Sequence, residues 1–116
     1  MKVTIYHNPR CSKSRQTLAL LEEKGINVEI IEYLKTPPDQ KTLKAILKKL
    51  NIPAADLLRK KEAPFKELKL DKKLDDNDAL INAMVKNPVL IERPIVLANK
   101  KAAIGRPPEA VLDILK

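Results

Sequence analysis

A chain with a single cysteine, Cys11, can close no internal disulfide and offers no multi-cysteine zinc site. It holds only two glycines, Gly25 and Gly105, which excludes a G-x-G-x-x-G dinucleotide fingerprint and a Walker-type phosphate loop. Tryptophan is absent, and two tyrosines and one phenylalanine leave the core to aliphatic side chains. The same shortage removes the aromatic platform on which single-stranded nucleic acid stacks. One histidine, His7, beside one cysteine argues against a structural metal. The opening Met1-Lys2-Val3-Thr4-Ile5-Tyr6-His7 lacks the apolar stretch of a signal peptide, and no apolar run of about 18 residues follows. A soluble, cytoplasmic protein in a reducing compartment is expected. What is there is 116 residues, 44% of them hydrophobic, enough for one domain that buries roughly two-thirds of its unfolded surface. Against 15 acids stand 23 Lys and Arg, a net charge of +8 that any functional account must place.

Val3-Thr4-Ile5-Tyr6 is β-branched and aromatic and reads as a strand. His7-Asn8-Pro9-Arg10 breaks it, because proline cannot donate to a ladder and Asn-Pro favours a turn. Helical spacing of Leu18 and Leu21 follows, and Gly25 stands where a C′ glycine ends a helix. Val28 to Tyr33 reads as a second strand, so residues 1–33 form a β-α-β unit with its two strands parallel.

Residues 36–87 read as a helical insertion. Thr36-Pro37-Pro38-Asp39 opens a helix whose Leu43, Ile46, Leu47 and Leu50 form an apolar stripe opposite Lys44, Lys48 and Lys49. A short helix runs through Leu57-Leu58, Arg59 to Pro64 reads as a polar connection, and Phe65 to Leu70 as a weak helical turn. A further helix is expected from the Asp75–Asp78 caps to Asn87-Pro88. Residues 93–116 read as β-β-α: strand Ile95–Ala98, a turn at Asn99-Lys100, strand Lys101–Ile104, and a helix Ala110 to Lys116 behind Pro107-Pro108. The whole is a single α/β domain with the element order of a thioredoxin-like fold carrying a helical insertion.

A lone cysteine is most often a small buried hydrophobe. Cys11, however, follows a strand by a short turn and precedes a helix, where free N–H groups and the helix dipole favour a thiolate. Arg10, Lys13 and Arg15 add nearby positive charge, the setting that activates a thiol. The window Cys11-Ser12-Lys13-Ser14 has no resolving cysteine, so any disulfide must form with another molecule. Thr17 stands where a cysteine phosphatase loop needs its arginine. Arg59, Arg93 and Arg106 each sit at the junction of an element and a turn, and three such guanidinium groups could clamp a tetrahedral oxyanion. The Arg93-Pro94 bond is a candidate for the cis form. His7, four positions before Cys11, is read as a supporting group near the thiol.

His7-Asn8-Pro9-Arg10-Cys11-Ser12-Lys13-Ser14-Arg15 resembles the H-N-P-x-C-x-x-S-R active-site segment of the glutaredoxin-coupled arsenate reductases of the ArsC type. The resemblance continues in register through Tyr33 to Pro38, Leu57 to Lys60, Arg93 to Val96 and Gly105 to Pro107. It implies a thioredoxin-like fold, Cys11 as nucleophile, His7 as its modulator, and Arg59, Arg93 and Arg106 as oxyanion-binding residues. It also implies arsenate as substrate in arsenic resistance, glutathione as co-substrate, glutaredoxin as partner, no bound cofactor or metal, and action as a monomer. A competing expectation is a Spx- or YffB-like thiol protein, or a regulator that binds RNA polymerase on the same fold. Nucleic acid is the weakest candidate partner, since the nine lysines between Lys44 and Lys73 alternate with acids or line solvated helix faces.

Overall fold

The computed structural model describes residues 2–115. Four strands form one sheet: β1 (Val3–His7), β2 (Val28–Glu32), β3 (Ile95–Ala98) and β4 (Lys101–Ile104). Their order is β2-β1-β3-β4, with β1 parallel to β2 and β3 antiparallel to both β1 and β4. Central β1 is paired on both edges and buried at all five positions, whereas edge strand β2 leaves Ile30 48% exposed. Strand β1 runs one residue further than its β-branched run suggests: the parallel register pairs His7 with Glu32, which keeps His7 in the ladder up to Asn8. The β3–β4 turn puts Asn99 and Lys100 at φ 54° and 63°, the left-handed geometry of a two-residue hairpin loop.

Helix α1 (Ser12–Glu23) ends as expected at Gly25. The Ile26 N–H reaches Leu21 O at 3.2 Å and the Gly25 N–H reaches Glu22 O at 2.9 Å, the paired bonds of a Schellman motif, with Gly25 at φ +75°. Val3 and Ile5 of β1, Leu21 of α1, Val96 and Ala98 of β3, and Val111 and Ile114 build one aliphatic core. The last segment corrects the expected α-helix from Ala110. It is a 3-10 helix over Pro108–Ile114, while the predicted end, Lys116, lies outside the described residues. Pro108, Val111 and Ile114, three apart and all buried, show why: a three-residue turn stacks all three on one face.

The chain divides into two compact units, one running to Thr36 and resuming at Arg93, the other Pro37–Glu92. In the second, α2 (Gln40–Leu50) is capped by Asp39, whose carboxylate accepts the Thr42 N–H at 2.8 Å, and buries Leu43, Ile46 and Leu47. Asn51 closes it in the left-handed conformation at φ 57°. Short α3 (Ala54–Leu57) and α4 (Ala63–Glu67) follow, then a 3-10 turn at Leu70–Lys72 and α5 (Asn77–Lys86) behind the Asp76 cap. Helix α4 begins two residues before the expected turn at Phe65, because Pro64 fits the first turn of a helix where a breaker was read. A bridge between Leu58 and Ile91 fastens the unit's end beside α3. Among the described residues no helix is long and apolar enough to cross a membrane, and no group of His, Cys, Asp or Glu could hold a metal ion.

Candidate active site

Cys11 is the N-cap of α1, in extended backbone geometry (φ −94°, ψ 124°). The turn that delivers it from β1 is closed from within. The Cys11 N–H donates to Asn8 O and the Arg10 N–H to Asn8 Oδ1, each at 3.0 Å, while Arg15 Nη1 donates to Pro9 O at 2.9 Å. Asparagine suits this place because its short amide folds onto the backbone two residues on. The Arg15 N–H then bonds Cys11 O at 3.0 Å and starts the helix.

The side of the cysteine is supplied by two loops at the ends of β3 and β4. Arg93-Pro94 and Arg106-Pro107 are both cis; the sequence pointed to the first and gave no sign of the second. Arg106 Nε donates to Arg93 O at 2.8 Å and Arg106 Nη2 approaches Cys11 Sγ at 3.5 Å. Between the loops lies Gly105, buried, its N–H bonded to Pro94 O at 2.9 Å. A Cβ there would stand 2.8 Å from Pro94 Cγ and collide with Thr17 Oγ1, so glycine is required by close approach and not by its φ. Thr17 itself, wholly buried, donates to Lys13 O at 2.8 Å and faces Gly105 O at 3.5 Å.

Burial pushes the Cys11 thiol up, yet its pKa falls below the ordinary value. The backbone N–H groups of Ser14 and Lys13 and the guanidinium groups of Arg93 and Arg106 outweigh burial by stabilising the thiolate. This corrects the electrostatics expected from the sequence. Arg15 is turned to Pro9 O, and Lys13 acts through its backbone N–H; the cations that bear on the sulfur come from loops more than eighty residues away in the chain. The first-turn N–H groups and the facing guanidinium groups thus act together on the sulfur.

His7, buried at the end of β1, holds Ser14 Oγ through Nδ1 at 2.7 Å, and the same oxygen accepts the Asn8 N–H at 3.0 Å. Burial lowers the imidazole pKa, Glu32 and Glu22 oppose that, and Arg15 adds to it, so the net shift is downward. His7 thus reaches the thiol's surroundings through Ser14, a fully buried hydroxyl that the sequence reading placed only in the polar setting of Cys11. Arg59 belongs to the other unit, where its guanidinium pairs with Glu62 at 2.7 Å. In the first unit the arrangement brings a thiol of lowered pKa together with the guanidinium groups of Arg93 and Arg106.

The ArsC family model matches residues 6–114. The chain is 56% identical to the uncharacterized protein YfgD of Escherichia coli K12, over 98% of this chain and 97% of that one. It is 53% identical to an arsenate reductase of Neisseria meningitidis serogroup A, over 98% of each. The solved structure of an arsenate reductase from Vibrio cholerae superposes with a TM-score of 0.94 at 50% identity, again over 98% of each chain.

Proposed function

The chain belongs to the ArsC family, and on that premise we propose that it is an arsenate reductase that draws its electrons from glutathione and glutaredoxin in the cytoplasm. The observation that carries the proposal is Arg106 Nη2 at 3.5 Å from Cys11 Sγ at the N-terminus of α1, which puts an anion donor beside an activated nucleophile.

Arg93 and Arg106, joined in this reading by Arg59, hold the arsenate oxygens, and the charge-assisted bonds orient the arsenic toward the sulfur. The Cys11 thiolate attacks arsenic; one arsenate oxygen takes up protons and leaves as water, giving a Cys11 S–As(V) adduct. Glutathione thiolate then attacks the Cys11 sulfur. The S–As bond breaks, its electron pair passes to arsenic, and protonation releases arsenite. Arsenic has gained two electrons and the two sulfurs have each lost one, appearing as a Cys11–glutathione disulfide. Glutaredoxin removes the glutathione and restores the thiol, which is why one cysteine suffices. His7, bonded to Ser14, keeps the first turn of α1 in place under the sulfur. Phosphate can occupy the oxyanion position but cannot be reduced there.

The test is NADPH consumption in a coupled assay with glutathione, glutathione reductase and glutaredoxin. Oxidation that depends on arsenate is expected. Absence of that signal, together with stable capture of RNA polymerase, would replace the enzyme with a regulator.

A further inference from the structure

Arg59 already holds an anion. Its Nη1 lies 2.7 Å from Glu62 Oε1, with the two side chains 22% and 28% exposed. Three ion pairs elsewhere are longer and more exposed: Lys2–Glu29 at 3.9 Å, Lys35–Glu32 at 3.5 Å and Lys44–Asp78 at 3.7 Å. A pair this short and this sheltered is only weakly screened.

Glu62 is not needed to fix the arginine's backbone. The Arg59 N–H is bound to Leu90 O at 2.7 Å beside the Leu58–Ile91 bridge, and the Glu62 N–H closes the turn on Arg59 O at 3.3 Å. Nor does the carboxylate serve the helix it precedes. Glu62 is the N-cap of α4 but makes no side-chain cap bond, its oxygen being turned back to the guanidinium. Exposed Lys60 and Lys61 immediately precede it in the loop.

We propose that Glu62 is a resident carboxylate that the substrate oxyanion must displace from Arg59, so that it sets the affinity of the site. This rests on the reading of Arg59 as an oxyanion-binding residue. The consequence is a conformational toll: an anion binds only the fraction of molecules whose Arg59 is released, and the apparent dissociation constant rises by the inverse of that fraction. For a partly buried pair the toll is about three- to tenfold.

The experiment compares the full chain with Glu62→Gln, Glu62→Ala, Arg59→Ala and Arg59→Ala/Glu62→Gln, each checked for its melting temperature. The readouts are KM for arsenate and, without turnover, calorimetric binding of inorganic phosphate. Glu62→Gln is expected to lower both constants by about three- to tenfold with kcat within about twofold. Glu62→Ala, kept in case the glutamine retains the loop's bonding, should do the same. In the Arg59→Ala background the glutamine change should have no effect, which separates release of Arg59 from a general gain of positive charge. If Arg59→Ala weakens phosphate binding but the Glu62 variants leave it unchanged or weaken it too, the displacement idea is wrong and Glu62 braces the arginine. If Arg59→Ala changes neither constant, the reading of Arg59 itself fails and takes the inference with it.

Discussion

At the scale of single residues the proposal concentrates on one sulfur. Cys11→Ser is expected to abolish arsenate-dependent NADPH oxidation while leaving the far-UV spectrum unchanged, since serine is nearly isosteric and suits an N-cap position. The thiol should alkylate with iodoacetamide along a titration curve centred below the ordinary thiol value, and turnover should fall as pH drops through that centre. A midpoint at about 8.5 would remove the electrostatic account. The sign of the accompanying stability effect follows from the lowered pKa: folding favours the thiolate, so this group's contribution is full above the ordinary thiol value and is lost as pH falls through the folded value. Chemical denaturation across that window should show the slope in the native chain and not in Cys11→Ser. Arg93→Ala and Arg106→Ala should each move the alkylation curve upward and cost about 1.5–3 kcal/mol of transition-state binding, Arg106 at the lower end because its exposed side chain is screened. Unaltered kcat/KM in both would dissolve the clamp. The place of Cys11 at the start of α1 was legible in the sequence because strand, turn and helix start are local signals. The sources of its activation were not: Arg10, Lys13 and Arg15 are near in sequence, whereas Arg93 and Arg106 become neighbours only through sheet pairing.

At the scale of elements, the two glycines separate two kinds of necessity. Gly25 closes α1 at φ +75° with nothing within 4 Å of an added Cβ, so Gly25→Ala should cost about 1 kcal/mol of stability in a denaturant titration and leave turnover alone. Gly105 has the opposite problem. A methyl group there must push aside Thr17 or Pro94, and with Pro94 goes the Arg93 carbonyl that anchors Arg106. Gly105→Ala is therefore expected to lower kcat/KM more than stability alone explains, and to raise the midpoint of Cys11 alkylation; a variant that alkylates as the parent does would show the loops to be independent. Elements built on a strong period were readable from sequence, as α2 and the β3–β4 hairpin show. The 3-10 helix at Pro108–Ile114 was not, because Val111 and Ile114 at a spacing of three suit an α-helix and a 3-10 helix alike. Nor was the contact between Thr17 and Gly105, which join α1 to the segment after β4 across 88 positions of chain.

For the molecule as a whole, the net charge of +8 sorts into unlike parts. Arg93 and Arg106 bear on a sulfur, Arg59 is neutralised by Glu62, Arg15 holds a turn, and the exposed lysines of α2 face water. Those lysines still contribute a field that draws anions. Raising the salt from low to physiological strength should lower kcat/KM for arsenate while leaving kcat nearly unchanged. Reversing Lys48 and Lys49 to glutamate should flatten that dependence without touching kcat. A kcat that falls with salt would point to disrupted packing instead. The total charge is plain from the sequence, but its division into site, brace and surface needs coordinates, because a count cannot tell which group each cation faces.

One feature of α1 reaches beyond the first chemical step. The sulfur of the helix's N-cap residue is, in the proposed cycle, also the atom that must depart when glutathione is removed from it. Whatever steadies the anion at that place makes the sulfur a better leaving group, so the mixed disulfide is primed for cleavage by the same donors that primed the thiol for attack. Oxidation removes the negative charge from the helix end and reduction returns it. On the proposed cycle the folded protein is therefore expected to lean toward its reduced form, and its melting temperature to report its redox state.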